Sequence, residues 1–202
     1  MEEENKTTEY KILEAAVTIF AQKGFSASTT KEIATQAGVA EGTIFRYFPK
    51  KKDILHGILL KMIEVVGPKI LGSGLKEIFS NQLQKDDKEV IKAFLNNRIH
   101  LFESYFPLFK VIINESQYHP DLQVVFFEKV IPTTSGMIEE FFKEGIEQGR
   151  FKNYHSSAMT IALLGCMASN IIARSTKVLT KEVSLDELLE DSINIFLFGI
   201  SK

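Results

Sequence analysis

The stretch that decides the fold runs from Thr29 to Lys52 and reads TTKEIATQAGVAEGTIFRYFPKKK. Thr29 and Glu32 have the spacing of a capping box, in which a hydroxyl and a carboxylate each satisfy a free amide at the start of a helix. Gly38 can adopt the left-handed conformation that ends a helix. The pattern therefore predicts a short helix that begins at Thr30 and stops at Gly38.

A second short helix is predicted directly after this stop, over roughly Glu41 to Phe48. Val39, Ile44 and Phe48 supply its apolar side, since Ile44 and Phe48 lie one turn apart. Its other side presents Glu41, Gly42, Thr43, Arg46 and Tyr47. The two helices and the tight turn between them form a predicted helix-turn-helix.

The runs TTKEIA, AGV, GTIFRYF and KKDIL resemble the N-terminal domain of TetR-type (TetR/AcrR family) transcriptional regulators. The resemblance covers about the first third of the chain. Two positions depart from it, because Ala40 stands where many relatives have a hydroxylated cap and Lys50 where many have Ser. The resemblance implies an all-α protein of about nine helices, in which a three-helix helix-turn-helix domain is joined by a connecting helix to an all-helical ligand-binding and dimerisation domain.

The resemblance also implies DNA-binding roles for nine residues. Phosphate contacts are expected from Thr30, Tyr47 and Lys51, and positions on or near base edges are expected for Lys31, Glu41, Gly42, Thr43, Phe45 and Arg46. An arginine can pair bidentately with guanine, and an aromatic ring can touch a thymine methyl. One short helix buries little surface, so two copies are expected to read half-sites about 34 Å apart. The expected partner is a palindromic operator in double-stranded DNA, bound by a homodimer.

Charge is distributed unevenly along the 202-residue chain, whose net charge is −2. Between Lys23 and Lys61 there are seven basic and three acidic residues, which gives this stretch +4 and leaves −6 for the remainder. A local basic surface on an acidic body fits phosphate contacts. The same residues can also be solvated helix faces, so charge alone does not decide between the two.

The remaining chain is read as helical throughout. A first helix is capped by Thr7 or Thr8 and closed by Gly24, and a fourth helix starts near Lys51 and ends at Gly67-Pro68. Gly72-Ser73-Gly74 is the expected domain junction. Further helices are predicted near 87–105, 107–117, 120–149, 155–175 and 184–200, with Pro132 kinking or restarting the third of these. The predicted domains are 1–65, for DNA binding, and 66–202, for regulation and dimerisation.

The last two predicted helices carry apolar stripes. These are Ile161, Leu164, Ala168, Ile171 and Ile172, followed by Leu185, Leu188, Leu189, Ile193, Phe196 and Ile200. Small residues on the first of these two helices allow a partner helix to approach closely. We expect this pair of helices to form a two-fold dimer interface as a four-helix bundle. The alternative is that both stripes only fill the core of one subunit.

Large apolar residues are frequent in the predicted body, and most are expected to be ordinary core. The family resemblance implies an inducer in this domain, and phenylalanine and methionine suit a hydrophobic small molecule. The residues expected to line its site are Ile63, Phe102, Phe106, Phe109, Ile113, Met137, Phe141 and Met167.

Other classes of function are disfavoured. The four histidines lack ligand spacing, no phosphate loop or nucleophile motif occurs, and neither a metal nor a cofactor is predicted. Cys166 is a lone cysteine in an apolar stretch, and no secretory signal is visible. The apolar run from Ile161 to Ala173 is short for a bilayer, so no membrane partner and a cytoplasmic location are expected. Three hypotheses remain: a dimeric ligand-responsive repressor, an all-helical lipid or drug carrier without a DNA role, and a small helical enzyme with a dispersed site.

Overall fold

The computed structural model describes residues 2–71, 73–80, 86–116, 118, 131–176 and 183–200, and all of the regular elements that organise this part of the chain are helices. The first six helices are α1 (Glu2–Lys23), α2 (Thr30–Ala37), α3 (Glu41–Tyr47), α4 (Lys51–Val65), α5 (Gly67–Leu71) and α6 (Ser73–Ser80). The other five are α7 (Asp87–Ser104), α8 (Phe106–Ser116), α9 (Ile131–Glu147), α10 (Ser156–Thr176) and α11 (Leu185–Ile200).

The all-α fold class is confirmed, and the additional helices relative to the predicted nine are short. Gly67-Pro68 ends α4 as predicted, but it also opens α5, because proline fits the first turn of a helix, where its missing amide is not needed. Ser73 and Gly74 start α6 rather than forming a junction, and Gly72 lies outside the described residues. Of the predicted helix over 120–149, the part before Ile131 also lies outside them.

The predicted helix limits after α6 are confirmed to within a residue or two where they are described, whereas the first helix starts at Glu2 and not after a cap at Thr7 or Thr8. Pro107 lies in the first turn of α8, and Pro132 lies in the first turn of α9. The chain leaves α9 through Gly149, whose φ of 73° is in the left-handed region. Proline fits the first turn of a helix, and glycine can take the left-handed conformation just after its end. These conformational preferences made both positions predictable from the sequence.

The chain divides into two compact units, and the division along the first part of the chain falls after Pro68, within α5. The first unit contains α1, α2, α3, α4 and α8, and the second contains α6, α7, α9, α10 and α11. Helix α8 therefore belongs with the N-terminal helices, although the sequence offered no sign of this. The predicted functional domains, 1–65 for DNA binding and 66–202 for regulation and dimerisation, stay a prediction.

The first unit is built on α1, which packs against α2, α4 and α8. Its core contains fully buried isoleucines from four helices, among them Ile12, Ile33, Ile44 and Ile54. Helix α4 crosses α1 closely at Gly57, where an added Cβ would lie 2.9 Å from both Leu13 Cδ2 and Phe48 Cε1. Gly57 therefore sets how near α4 approaches the hairpin.

The second unit has an aromatic core. Helix α10 packs against α7, α9 and α11, and α7 also contacts α6 and α11. Phe141 lies at the centre, with its ring centroid 5.3 Å from that of Phe142 and 5.6 Å from those of Phe79 and Phe151. These rings come from α6, from α9 and from the segment after α9, so they hold three parts of the unit together.

Candidate DNA-recognition surface

The α2–α3 hairpin starts with the predicted capping box. The Glu32 amide donates to Thr29 Oγ1 at 3.2 Å, and the Thr29 amide donates to Glu32 Oε2 at 3.0 Å. Lys23 forms an ion pair with the same carboxylate, and this contact lowers the pKa of Glu32. Helix α2 ends at Gly38, whose φ is 68° and whose amide bonds the carbonyl of Thr35 at 3.3 Å. Both ends of the helix thus match the prediction.

Helix α3 lacks a side-chain cap, because Ala40 has no oxygen to offer. A different bond ties its first turn to α2, since the Thr30 hydroxyl donates to Glu41 Oε1 at 2.7 Å. Ile44 is fully buried on the inner side, whereas Phe45 on the outer side is 47% exposed. The outer side therefore carries a large apolar ring to solvent, as a base-reading helix would.

Two further predicted residues share this outer side. Arg46 Nη2 donates to Tyr47 Oη at 3.1 Å, and the Arg46 guanidinium carbon lies 5.0 Å from the Tyr47 ring centroid. At Gly42 the surroundings are open, because no neighbouring atom lies within 4 Å of the point that a Cβ would occupy. An open glycine lets another backbone approach closely.

Lys51 is positioned differently from the other basic residues of this surface. Its ammonium donates to the carbonyls of Phe25 and Ser28 at 2.7 and 2.8 Å, and it lies 4.5 Å from the Phe25 ring centroid. Lys50 and Lys52, on either side, are exposed. The resemblance assigned the phosphate contact to Lys51, which stays a prediction, while its two neighbours extend further into solvent.

All nine predicted DNA-binding residues lie in the first unit, at the start of α2, along α3 and at the start of α4. They are Thr30, Lys31, Glu41, Gly42, Thr43, Phe45, Arg46, Tyr47 and Lys51. Asp53 was not among them, yet it matters locally, because Oδ2 of its side chain accepts the Lys50 amide at 2.8 Å and so caps α4. This bond satisfies a backbone amide at the start of α4, where Lys50 offers no hydroxyl.

Comparisons with known proteins agree with this geometry. Residues 12–58 match the family described as bacterial regulatory proteins, tetR family. These residues resemble a tetR-family N-terminal domain. Over 54 residues it is 44% identical to the uncharacterized HTH-type transcriptional regulator YvkB of Bacillus subtilis, which covers 27% of this chain and 29% of that protein. Over 44 residues it is 52% identical to the fatty acid metabolism regulator protein of Bacillus subtilis, which covers 22% and 23%.

Over most of its length this chain is similar in fold to a solved structure. The crystal structure of the transcriptional regulator FadR from Bacillus subtilis in complex with stearoyl-CoA matches with a TM-score of 0.67 and 22% identity, covering 94% of this chain and 98% of that one. At this identity the likeness concerns the fold alone. The sequence matches span less than a third of the length of the curated relatives named above. These proteins are all named as regulators, so the enzyme hypothesis is set aside.

The eight predicted ligand residues are divided between the units. Ile63, Phe106, Phe109 and Ile113 lie in the first unit, and Phe102, Met137, Phe141 and Met167 lie in the second. A cleft of about 680 Å³ in the first unit is lined by none of them, and its walls include Tyr10, Lys61 and Tyr105. The inducer site stays a prediction.

One charged residue of the second unit is buried, which the sequence did not predict. Arg98 on α7 is only 6% exposed, and its guanidinium carbon lies 5.8 Å from the Phe94 ring centroid. Burial lowers the pKa of this guanidinium to about 10. Its position within α7 gave no signal, because an arginine in a helix is more often a solvated residue.

The outer faces of α10 and α11 are apolar and exposed. On α10 they comprise Ile161, Gly165, Ala168 and Ile172, all on one stripe. On α11 the exposed large apolar residues are Ile195 and Phe198, at 75% and 88%. Helical periodicity indicated instead Leu189, Ile193 and Ile200, which are buried in the core of the second unit. The stripe predicted on the last helix thus serves the subunit's own core in large part.

Helix α10 has a second property that the sequence analysis did not expect. Among the residues described, it is long and apolar enough to cross a membrane by length and composition alone. Only 28% of its most apolar window is buried, so it is not a fully buried core helix. An exposed apolar stripe on a helix of 21 residues produces both observations.

Proposed function

We propose that the chain is a repressor that binds a palindromic operator as a homodimer and is released by a lipophilic acyl ligand. The observation that carries the DNA-binding part is the two-sided character of α3. Its inner residue Ile44 is fully buried, while Phe45 and Arg46 face solvent beside the open Gly42. A short helix anchored on one side and presenting an aromatic ring and a guanidinium on the other suits the major groove.

Within this proposal the polar residues divide into two groups. Arg46 and Phe45 read base edges, with Lys31, Glu41, Gly42 and Thr43 on or near them, and Thr30 and Tyr47 contact phosphates. In the free protein Arg46 lies along Tyr47, so binding would draw the guanidinium from a neighbouring ring to a guanine edge. For Lys51 a phosphate contact would compete with the two carbonyls that its ammonium now binds.

The DNA-binding part is tested with duplexes selected from a randomised library by the purified chain. Arg46→Ala should cost about 1–3 kcal/mol on the selected duplex and relax the preference at one base pair, because a bidentate base contact is lost. Lys52→Ala should weaken selected and random duplexes alike and lower the salt slope by about one. The same salt titration on Lys51→Ala measures whether that lysine contributes a phosphate contact.

The outcome can contradict the proposal in two ways. If no duplex is enriched over the starting library, DNA reading fails, and a lipid or drug carrier becomes the better hypothesis. If Arg46→Ala reduces binding to selected and random DNA equally, or if Lys52→Ala reduces binding to the selected duplex alone, the assigned roles fail while DNA binding survives.

The homodimer is supported by the exposed stripe on α10 and α11. Gly165 and Ala168 between Ile161 and Ile172 would let a second helix approach closely, and Phe198 would fill the space beside them. An apolar face of this kind is costly to leave in water. The same burial accounts for the membrane-like composition of α10, and the proposed location is the cytoplasm.

Light scattering or sedimentation at micromolar concentration tests the dimer. A charge introduced by Phe198→Glu should convert a dimer to a monomer, because a carboxylate cannot be buried there unpaired. Leu60→Glu is the matched control, since Leu60 is also an exposed apolar residue, at 66%, but lies in the first unit. A monomeric wild-type chain, or a dimer unaffected by Phe198→Glu, would exclude this interface.

The acyl ligand is supported by the chemistry of the second unit and by the names of two similar proteins. One is named a fatty acid metabolism regulator, and the other was solved with stearoyl-CoA. A phenylalanine-rich core with the buried cation Arg98 suits an apolar chain with an anionic end. Complete reversal of operator occupancy needs about 5.5 kcal/mol of differential affinity between the two conformations.

Stearoyl-CoA, free stearate and a short-chain acyl-CoA provide the ligand test. The long-chain compound should lower the affinity for the selected duplex, and the short-chain compound should do so less, because less apolar surface is buried. Release by none of them would remove the acyl ligand and leave the DNA-binding proposal intact.

A further inference from the structure

The link between α1 and α2 is a compact turn that leads directly into the hairpin. It begins at Gly24, whose φ of 80° is in the left-handed region, and ends at the buried Ser28. The Ser28 hydroxyl bonds the Gly24 carbonyl, and the Phe25 ring packs edge-on against Phe20 at 5.3 Å. The residue after Ser28 is Thr29, the cap of α2, so any shift of the link moves the start of the hairpin.

Helix α4 holds this link from one side. Lys51, at the first position of α4, donates to the Phe25 and Ser28 carbonyls and lies over the Phe25 ring. A cation that binds two carbonyls and a ring face makes charge-assisted contacts, which are stronger than those between neutral groups.

Helix α8 holds the same link through the opposite charge. Glu115 lies near its C-terminal end, is only 8% exposed, and accepts the Phe25 amide on Oε1 at 3.2 Å. The two residues are 90 positions apart in the chain. A buried carboxylate is costly unless it is hydrogen-bonded, so this contact fixes both the glutamate and the backbone that it binds.

We propose that Glu115 is a positioning residue for DNA binding, which holds the α1–α2 link, and hence the α2–α3 hairpin, in register with α8. This inference rests on the proposed DNA-binding function and extends it. Helix α4 is then one of two helices that hold the link, and α8 is the other.

The contact has a direct consequence for specificity. Base contacts require the recognition helix at one position, whereas phosphate attraction tolerates small shifts. Loosening the link should therefore weaken binding to a selected duplex more than binding to random DNA. A residue that only stabilised the fold would leave this ratio unchanged as long as the protein stayed folded.

The test compares Glu115→Ala with Glu115→Gln and with Glu9→Ala, which removes an exposed glutamate from the same unit. The probes are a duplex selected by the wild-type chain and a random duplex of equal length, at a temperature where every variant is folded. Glu115→Ala should lose about tenfold in affinity for the selected duplex and little for the random one. Glu115→Gln keeps an oxygen acceptor and should recover most of the loss, and Glu9→Ala should behave as the wild type.

Amide hydrogen exchange at Phe25 provides the second measurement. In the wild type this amide should be protected, and in Glu115→Gln it should stay more protected than in Glu115→Ala. An unprotected Phe25 amide in the wild type would overturn the inference even if Glu115→Ala does not fold. A folded Glu115→Ala variant that keeps the wild-type ratio of selected to random affinity would also overturn it.

The two proposals fail separately. If no duplex can be selected, DNA binding is wrong, while exchange at Phe25 still reports whether α8 holds the link. If a duplex is selected and the Glu115 variants bind it like the wild type, DNA binding stands and the positioning role is wrong.

Discussion

The hairpin and the helical body of this chain are related to known proteins in different ways. The family match covers residues 12–58, which all belong to the first unit. Over the whole chain the likeness to FadR reaches a TM-score of 0.67 at only 22% identity. The hairpin thus shares residues with its relatives, whereas the body shares mainly the arrangement of its helices.

Physical chemistry accounts for this difference. The hairpin depends on caps and glycines that act within a few residues, so few residue types can replace them. The body depends on the packing of large side chains, and many combinations of similar volume fill the same space. If this account is right, an added methyl group in the body should be harmful only where packing leaves no room, and substitutions in the hairpin should be harmful where a local bond is lost.

The largest expected effect is in the body, at Gly145 on α9. An added Cβ would lie 2.3 Å from two carbons of the Phe151 ring, and Phe151 is itself fixed between Phe141 and Phe142. Gly145→Ala should therefore destabilise the protein by about 1–3 kcal/mol through overpacking. Urea unfolding followed by circular dichroism measures the loss.

The control for this prediction is Gly136→Ala on the same helix. Gly136 has no atom within 4 Å of an added Cβ, so alanine should stabilise the helix slightly, by about 0.5–1 kcal/mol. Equal stability of the two variants would mean that the contact with Phe151 does not constrain the body.

A smaller effect is expected in the hairpin, at the capping residue Thr29. Thr29→Ala removes the oxygen that accepts the Glu32 amide, and loss of such a cap costs about 1 kcal/mol. Thr29→Ser keeps the hydroxyl and should retain most of the stability. The comparison would fail if alanine and serine at this position gave the same unfolding midpoint.

The sequence predicted the local features of both units for one reason. Caps, glycine stops and prolines act on the backbone of their own neighbours, so Thr29, Gly38, Pro107 and Gly149 could be recognised without any tertiary information. The helix limits and the helix-turn-helix followed from them, whereas the nine candidate DNA-binding residues were implied by the family resemblance.

What the sequence did not reveal depends on residues far apart in the chain. Helical periodicity identifies apolar stripes, but it cannot separate a stripe that fills the subunit core from one that faces a partner, so Ile193 was chosen where Phe198 is exposed. The role of Glu115 was invisible for the same reason, because Phe25 is 90 residues away. The contacts of Lys51 with the link were equally invisible in the sequence, while its phosphate contact stays a prediction.

The smallest expected effect concerns salt bridges, and each unit contains a glutamate whose pKa is lowered by lysine. In the first unit Lys23 lowers the pKa of Glu32, and the two residues are close in the chain. In the second unit Lys88 and Lys92 on α7 lower the pKa of Glu190 on α11 to about 2. Lys92 Nζ lies 2.7 Å from Glu190 Oε2, so this contact joins two helices that are distant in sequence.

The sign of the pH dependence follows from the lowered pKa of Glu190. The carboxylate is ionised more readily in the folded chain than at its ordinary pKa of 4.5 in the unfolded one. Its stabilisation is therefore fully present above about pH 4.5 and is lost as the pH falls towards 2. Glu190→Gln should lower the urea midpoint at pH 6 and leave it nearly unchanged near pH 2. Glu140→Gln, at an exposed glutamate on α9, is the control.

Salt separates this ion pair from packing in the same region. The side chains of Lys88, Lys92 and Glu190 are all partly exposed. Raising the ionic strength should therefore shrink the difference in urea midpoint between the wild type and Glu190→Gln at pH 6. The effect of Gly145→Ala should not change, because steric overlap is not screened. A Glu190→Gln difference that persists in high salt, or is equally large at pH 2 and pH 6, would mean that the glutamate stabilises the contact between α7 and α11 by packing rather than by charge.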